Sequence, residues 1–208
     1  MPERLLTYLH ENWLVAVSMP FYTVLILLEV LFSSYQHRAY YSLGETLINF
    51  WLNIANALLG LLCKVAVLAM LYQVSQFAPM VLPAGPVYWI LLFFGVDFFF
   101  YWEHRFEHES RILWAVHVTH HSSPEYNLTT GFRSSVFRPF VSCWFWVPLA
   151  LLGFKPLEIL FMDALCQIYG ILVHTQYVRR MPAWFEAVFV SPSHHRVHHA
   201  SNVEYLDR

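Results

Sequence analysis

Long apolar runs alternate with short polar breaks along the chain, and several runs have membrane-spanning length. Residues 12–32 form an apolar stretch of about 20 residues, enough for a hydrocarbon core of ~30 Å. Pro20 lies inside it and predicts a kink of the kind membrane helices tolerate. Glu29, near its end, is expected at the interface or facing a bundle. Residues 46–74 predict a second helix, longer than the core needs and therefore tilted or extended past the bilayer. On it Asn49, Asn53 and Asn56 share one face, the pattern that holds helices together, and Lys64 is expected to snorkel or face a polar interior. Residues 75–86, with Pro79, Pro83, Gly85 and Pro86, break the pattern. A third helix starts near Val87 and runs through a Phe-rich segment. Two more apolar runs, 135–152 and 157–173, are joined by Gly153-Phe154-Lys155-Pro156, the composition of a helical hairpin with glycine past one end and proline in the next first turn. The expected fold is all-α: a multi-pass transmembrane helical bundle, read as one integral-membrane domain over 1–208.

Two helices carry a polar stripe on an apolar body. Asp97, Tyr101, His104 and His108 fall at i, i+4, i+7 and i+11, and so do Asp163, Gln167, Gly170 and His174. A membrane helix with such a stripe turns it toward a polar site. His108 and His117 are nine residues apart, roughly 180° on one straight helix, so a break is expected around 109–111.

Composition agrees with a membrane protein: 58% of residues are hydrophobic and 12% charged, against about 25% charged in a soluble domain. Net charge is −2, which gives no argument for nucleic acid. Cys63, Cys143 and Cys166 lie in apolar runs without a CxxC pair and read as buried thiols.

The histidines are the candidate chemistry. Ten of the twelve lie between positions 104 and 199. His104 and His108 share a helical face; His117, His120 and His121 follow as HxxHH; His195, His198 and His199 repeat that spacing. His174 sits alone between them, and His194 precedes the last group. Imidazole suits zinc, copper, iron and nickel, and a zinc ion takes about four ligands, so eight box histidines fit two ions.

HRFEH, HVTHH and HRVHH resemble the three histidine boxes of the fatty acid hydroxylase/sterol desaturase superfamily, over a region of about 97–199. The segment HHSSPEYNLTTGFR and Glu109 directly after His108 are similar to its alkylglycerol monooxygenase branch. The resemblance implies a membrane oxygenase with a di-metal, nominally di-iron, centre that uses O2 to hydroxylate or desaturate a lipid. His104, His108, His117, His120, His121, His195, His198 and His199 are then direct ligands, with His174 a further one. Asp97 and Glu109 are the catalytic candidates, each expected to hydrogen-bond a ligating histidine; Glu109 is alternatively expected to help hold a reductant. Glu125 and Asn127, in the turn after the second box, are expected to bind a cofactor. Two iron ions are implied, with zinc able to replace them in purified protein, and the electron donor is a tetrahydropterin or a separate cytochrome- or ferredoxin-type partner. The superfamily continues beyond the position nine residues after His199 where this chain ends, so a truncated C-terminus is expected.

Arg105, Arg111, Arg133, Arg138, Arg179, Arg180 and Arg196 flank the histidines, while the 75–86 loop carries no Lys or Arg; only Lys155 disagrees. By the positive-inside rule the boxes face the cytoplasm, of a bacterial membrane or of the endoplasmic reticulum. The Asn127-Leu128-Thr129 sequon should then stay unused. A sterol or fatty-acid desaturase remains open, as do two other classes. A histidine-rich metal transporter would hold ligands near the bilayer midplane on broken helices. A bis-histidine haem carrier would need single histidines on facing helices.

Overall fold

The computed structural model describes residues 2–205, and for residues 2–17 and Leu61 the backbone alone. Every regular element among the described residues is helical: α1 (Pro2–Tyr35), α2 (Leu43–Ser75), α3 (Pro86–Glu109), α4 (Arg111–His121), a 3-10 turn at Thr130–Phe132, α5 (Arg138–Leu151), α6 (Pro156–Leu172), α7 (Ala183–Glu186), α8 (Pro192–His198) and a 3-10 turn at Val203–Tyr205.

Local chemistry sets several boundaries. Pro86 and Pro192 occupy the first turns of α3 and α8, where a missing N–H costs nothing. Ser110 is extended (φ −101°, ψ 124°), so the helix stops at Glu109 and restarts at Arg111, inside the break anticipated from the histidine phase. Gly153 takes φ 95° in the α5–α6 hairpin, and a Cβ there would meet the Met80 carbonyl oxygen at 2.2 Å. The 76–85 segment is laid against that turn, with the Leu82 N–H donating to the Gly153 carbonyl at 3.2 Å.

Two compact units emerge. One comprises Met1–Trp51, His120–Arg133 and Ile168–Arg208; the other comprises Leu52–Thr119 and Ser134–Gln167. The second unit has the larger apolar core. Val67 and Leu71 of α2, Leu92 and Val96 of α3, Trp146 and Leu149 of α5, and Ile159 and Met162 of α6 are buried together. Each fully buried aliphatic side chain contributes about 1.5–3 kcal/mol. Gly95 lets α3 and α5 approach: a Cβ there would sit 2.8 Å from Leu149 Cδ2. The first unit has a smaller core of Tyr22 and Ile26 on α1 with Leu128 and Phe132, the Tyr22 and Phe132 rings meeting edge-on at 5.6 Å.

The span pattern differs from expectation. Among the described residues, one helical window, Ser18–Tyr35, is long and apolar enough to cross a membrane; α2 qualifies only when its parts are counted through a 44° bend between Gly60 and Leu62. α1 is helical through Pro20. α5 and α6 have 14 and 17 residues, roughly 21 and 26 Å, short of a ~30 Å core. α3 has the length, but its second half carries the charged residues of the site. Outward faces are nonetheless apolar: Leu31, Trp51, Leu58, Leu62, Phe94 and Trp144 are all more than 60% exposed. All three cysteines are free.

A candidate metal centre in each unit

In the first unit four imidazoles converge. His120 comes from the end of α4, His174 from just past α6, and His195 and His199 from α8 and its cap. His174 Nε2 lies 3.2 Å from His120 Nε2, 3.2 Å from His199 Nε2 and 3.1 Å from His195 Nε2. The His195 and His199 Nε2 atoms are 3.2 Å apart. Four nitrogens held tetrahedrally at about 2.0–2.1 Å from one ion are roughly 3.3 Å apart. The spacing is therefore what a shared cation imposes.

Tautomers point the same way. His120 Nδ1 donates to the Arg133 carbonyl at 2.9 Å, and His174 Nδ1 to the Gly170 carbonyl at 2.6 Å. A carbonyl can only accept, so in both rings the proton sits on Nδ1 and the Nε2 lone pair faces the cluster. Lone pairs so aimed repel one another unless a cation lies between them. Burial pushes the His174 pKa down to about 4, and burial together with crowding by His174 and His195 drives His199 far below the ordinary histidine range. Both rings are thus neutral, the form that ligates. His121, His198 and His199 form an adjoining group in the same unit, the His121 and His199 rings stacked at 4.2 Å.

The supports of this cluster are hydrogen-bonded throughout. Arg133, whose carbonyl orients His120, donates through Nη1 to Glu45 at 2.8 Å and to Asn49 at 3.0 Å, and through Nε to Ser122 at 3.1 Å. Asn49, from the asparagine stripe, is fully buried and also donates to Thr129 Oγ1. Gly131 is packed so that a Cβ would lie 3.0 Å from Ile171 Cα and 3.2 Å from His174 Nδ1. α8 has seven residues, too few to be stable alone. It is tied at its start by Glu186, whose Oε1 accepts from the Met181 N–H, Ser191 and Ser193. Those bonds, Ser193 foremost, hold the Glu186 pKa down to about 2. Arg196 anchors α8 by donating to the Thr175 and Arg179 carbonyls.

In the second unit His104 and His108 of α3 face His117 of α4, with ring centroids 4.7–5.0 Å apart. One ligand nitrogen from each lies within 4.8 Å of the others. Behind them stands Glu107, wholly buried, with Oε2 3.0 Å from His117 Nδ1 and 3.8 Å from His104 Nδ1. Neither carboxylate oxygen makes a hydrogen bond of sound geometry. A buried carboxylate without compensation costs several kcal/mol, so this donor set also fits a cation. Glu103, one turn earlier, is buried beside Arg138 at 3.7 Å and accepts from Ser142.

Four of the expected site residues are placed otherwise than anticipated. Asp97 is exposed and has no hydrogen bond to a described histidine. Glu109 is half exposed and paired with Arg105 at 2.8 Å; the carboxylate facing the histidines is Glu107. The helical phase held the signal, since Glu107 lies about 60° around the helix from His104 and Glu109 about 140°. Asn127 is buried with its polar atoms taken by protein: Nδ2 donates to the Tyr40 carbonyl and Glu125, and Oδ1 accepts from the Thr129 N–H and hydroxyl. Glu125 accepts from the Ser42 N–H. This pair staples the turn after the second box and leaves Asn127 no free donor. It also buries the side-chain amide of the Asn127-Leu128-Thr129 sequon. His194 is exposed. Tyr126, not anticipated, packs its ring 5.4 Å from both His174 and His199.

The fatty acid hydroxylase family model matches residues 89–206, more than half of the chain and both histidine sets. The chain belongs to the fatty acid hydroxylase family. Among curated proteins it is similar to alkylglycerol monooxygenase of Danio rerio, 44% identical over 120 residues, which are 58% of this chain and 26% of that one. The Homo sapiens alkylglycerol monooxygenase is 41% identical over 125 residues (60% and 27%), and that of Caenorhabditis elegans 32% over 124 (60% and 24%). This hydroxylase-family chain spans about a quarter of the length of the curated relatives it matches. No solved structure matches it.

Proposed function

We propose that this chain carries the metal-binding part of a membrane lipid monooxygenase that oxidises an ether lipid of the alkylglycerol class with O2. The observation that carries the reading is the four-histidine cluster, with two tautomers fixed by backbone carbonyls so that the Nε2 atoms face one point. The substrate class comes from the relatives' name and from the apolar outward faces of α1 and α2.

Two ions fit the donor sets. His120, His174, His195 and His199 would hold one, with His121 and His198 beside it; His104, His108 and His117 would hold the other. Iron bound there supplies oxygen activation, which no side chain can supply. The protein's own groups do the rest. Gly170 and Arg133 carbonyls keep two ligand rings in the ligating tautomer. Glu107, with Oε2 3.0 Å from His117 Nδ1, sets a negative charge behind that ring and raises its basicity as a ligand. Tyr126 walls one side of the four-histidine cluster against water.

The boxes face the cytoplasm in this reading, because the arginines cluster around them. Electrons then come from a soluble reductant such as a tetrahydropterin, or from a separate redox protein. Glu109, exposed beside Arg105, offers a charged surface where such a donor could dock. The test is lipid analysis of membranes containing the protein, supplied with an alkylglycerol, reductant and 18O2. One labelled oxygen in the lipid product, dependent on iron, is expected. A product without label, or equal turnover after iron removal, would sink the reading.

A further inference from the structure

The first unit contains an open cavity of about 420 Å³, within the size range of small-molecule sites (about 300–1,000 Å³). Its wall is apolar where α1 and α6 meet it, through Leu25, Leu28, Phe32 and Leu172. On the adjoining face of α1, Leu27 and Leu31 are more than half exposed. Glu29, Gln36 and Thr175 supply the cavity's polar lining. Thr175 directly follows the ligand candidate His174, and its hydroxyl donates to Glu29 Oε1, while the Tyr41 hydroxyl donates to Glu29 Oε2.

Glu29 is thus a carboxylate held in place by two hydroxyls in the wall of a greasy cleft. A carboxylate offers about four acceptor sites, so it keeps capacity for a ligand's O–H groups. Among the described residues no lysine or arginine lines the cavity. An anionic headgroup would meet like charge with no compensating cation, whereas a neutral hydroxylated one would find an acceptor.

We propose that this cavity binds the uncharged, hydroxyl-bearing headgroup of a single-chain lipid. Glu29 accepts from its free hydroxyls and the alkyl chain lies along the Leu25–Phe32 face of α1. Glu29 is then a specificity-determining residue that selects neutral hydroxylated lipids over fatty acids and phospholipids. This rests on the reading of the substrate as a lipid and adds to it which lipid headgroups are admitted and which residue admits them.

The experiment is equilibrium binding to the full protein in nanodiscs of neutral lipid, by displacement of a fluorescent single-chain probe. The competitors are a 1-O-alkylglycerol and a fatty acid of equal chain length. Wild type should prefer the alkylglycerol by about tenfold or more, the effect of one uncompensated like-charge contact. Glu29→Gln, which keeps the shape and removes the charge, should bring the two affinities within about threefold, with metal content unchanged. Absence of preference in wild type, or a preference that survives Glu29→Gln, overturns the proposal. Should Glu29→Gln fail to fold, Leu28→Trp at a half-exposed wall position carries the test: both competitors should weaken at unchanged metal content, and unaltered binding overturns the proposal. Binding selectivity without oxygen-dependent turnover would refute the monooxygenase reading and leave the cavity standing. Turnover with selectivity indifferent to Glu29 would do the reverse.

Discussion

The two histidine sets are built from the same residue type and held by different means. In the first unit the ring protons of His120 and His174 go to neutral backbone carbonyls, and four rings converge. In the second, two of the three rings, His104 and His117, face a buried carboxylate, Glu107. A carbonyl fixes a tautomer without adding charge. A carboxylate also makes its histidine a stronger donor and offsets part of the cation's charge. The first set is thus arranged for coordination saturated by histidine, and the second for an ion whose charge is partly balanced from behind. Identical box motifs do not make equivalent sites; the partner of each outer ring nitrogen decides.

The sharpest break in this comparison is His174→Ala. Its Nε2 is within 3.2 Å of three others, so removal should cost about one metal equivalent by elemental analysis while the His104/His108/His117 ion stays. Loss of both ions, or of neither, would show that the two sets are not separate centres.

Next comes Glu107→Gln, expected to weaken metal affinity at the three-histidine set by ~10–100-fold and leave the four-histidine set unchanged. Glu109→Gln is the control: a solvent-screened surface pair with Arg105 contributes little, so metal affinity should not move. The roles of the two carboxylates are wrong as assigned here if Glu109→Gln costs metal and Glu107→Gln does not.

Smaller still is Gly131→Ala, which places a methyl against the Ile171 backbone and the His174 ring. Overpacking of this kind costs about 1–3 kcal/mol, read as a lowered thermal midpoint, and it should also loosen metal at the four-histidine set. A variant as stable as wild type would mean that α6 yields freely there.

The smallest effect is on acid stability. The Glu186 pKa is lowered to about 2, so the carboxylate stabilises the fold above its unfolded pKa near 4.5, and that contribution disappears as pH falls toward 2. Glu186→Gln should flatten this part of the acid-unfolding profile in a circular-dichroism titration of metal-free protein. An unchanged acid limb would show that Ser191 and Ser193 hold α8 without the charge.

Much of this architecture is written in the sequence. The three boxes, the phase mismatch that requires a break at Ser110, and the Gly153–Pro156 hairpin all follow from local rules, because helical periodicity and the special torsions of glycine and proline act within a few residues. Local rules cannot say which distant segment a face will meet. The tertiary structure alone decided that His117 groups with His104 and His108 while His120 groups with His174, His195 and His199. It also decided that Asn127 spends its hydrogen bonds on Tyr40, Glu125 and Thr129, partners 2 to 87 residues away. Packing around Trp146 and Ile159 likewise could not be read from apolar runs, which mark what avoids water and not what it packs against. Residue type supplied the candidate donors; the placement of carbonyls and one buried carboxylate decided how those donors are oriented.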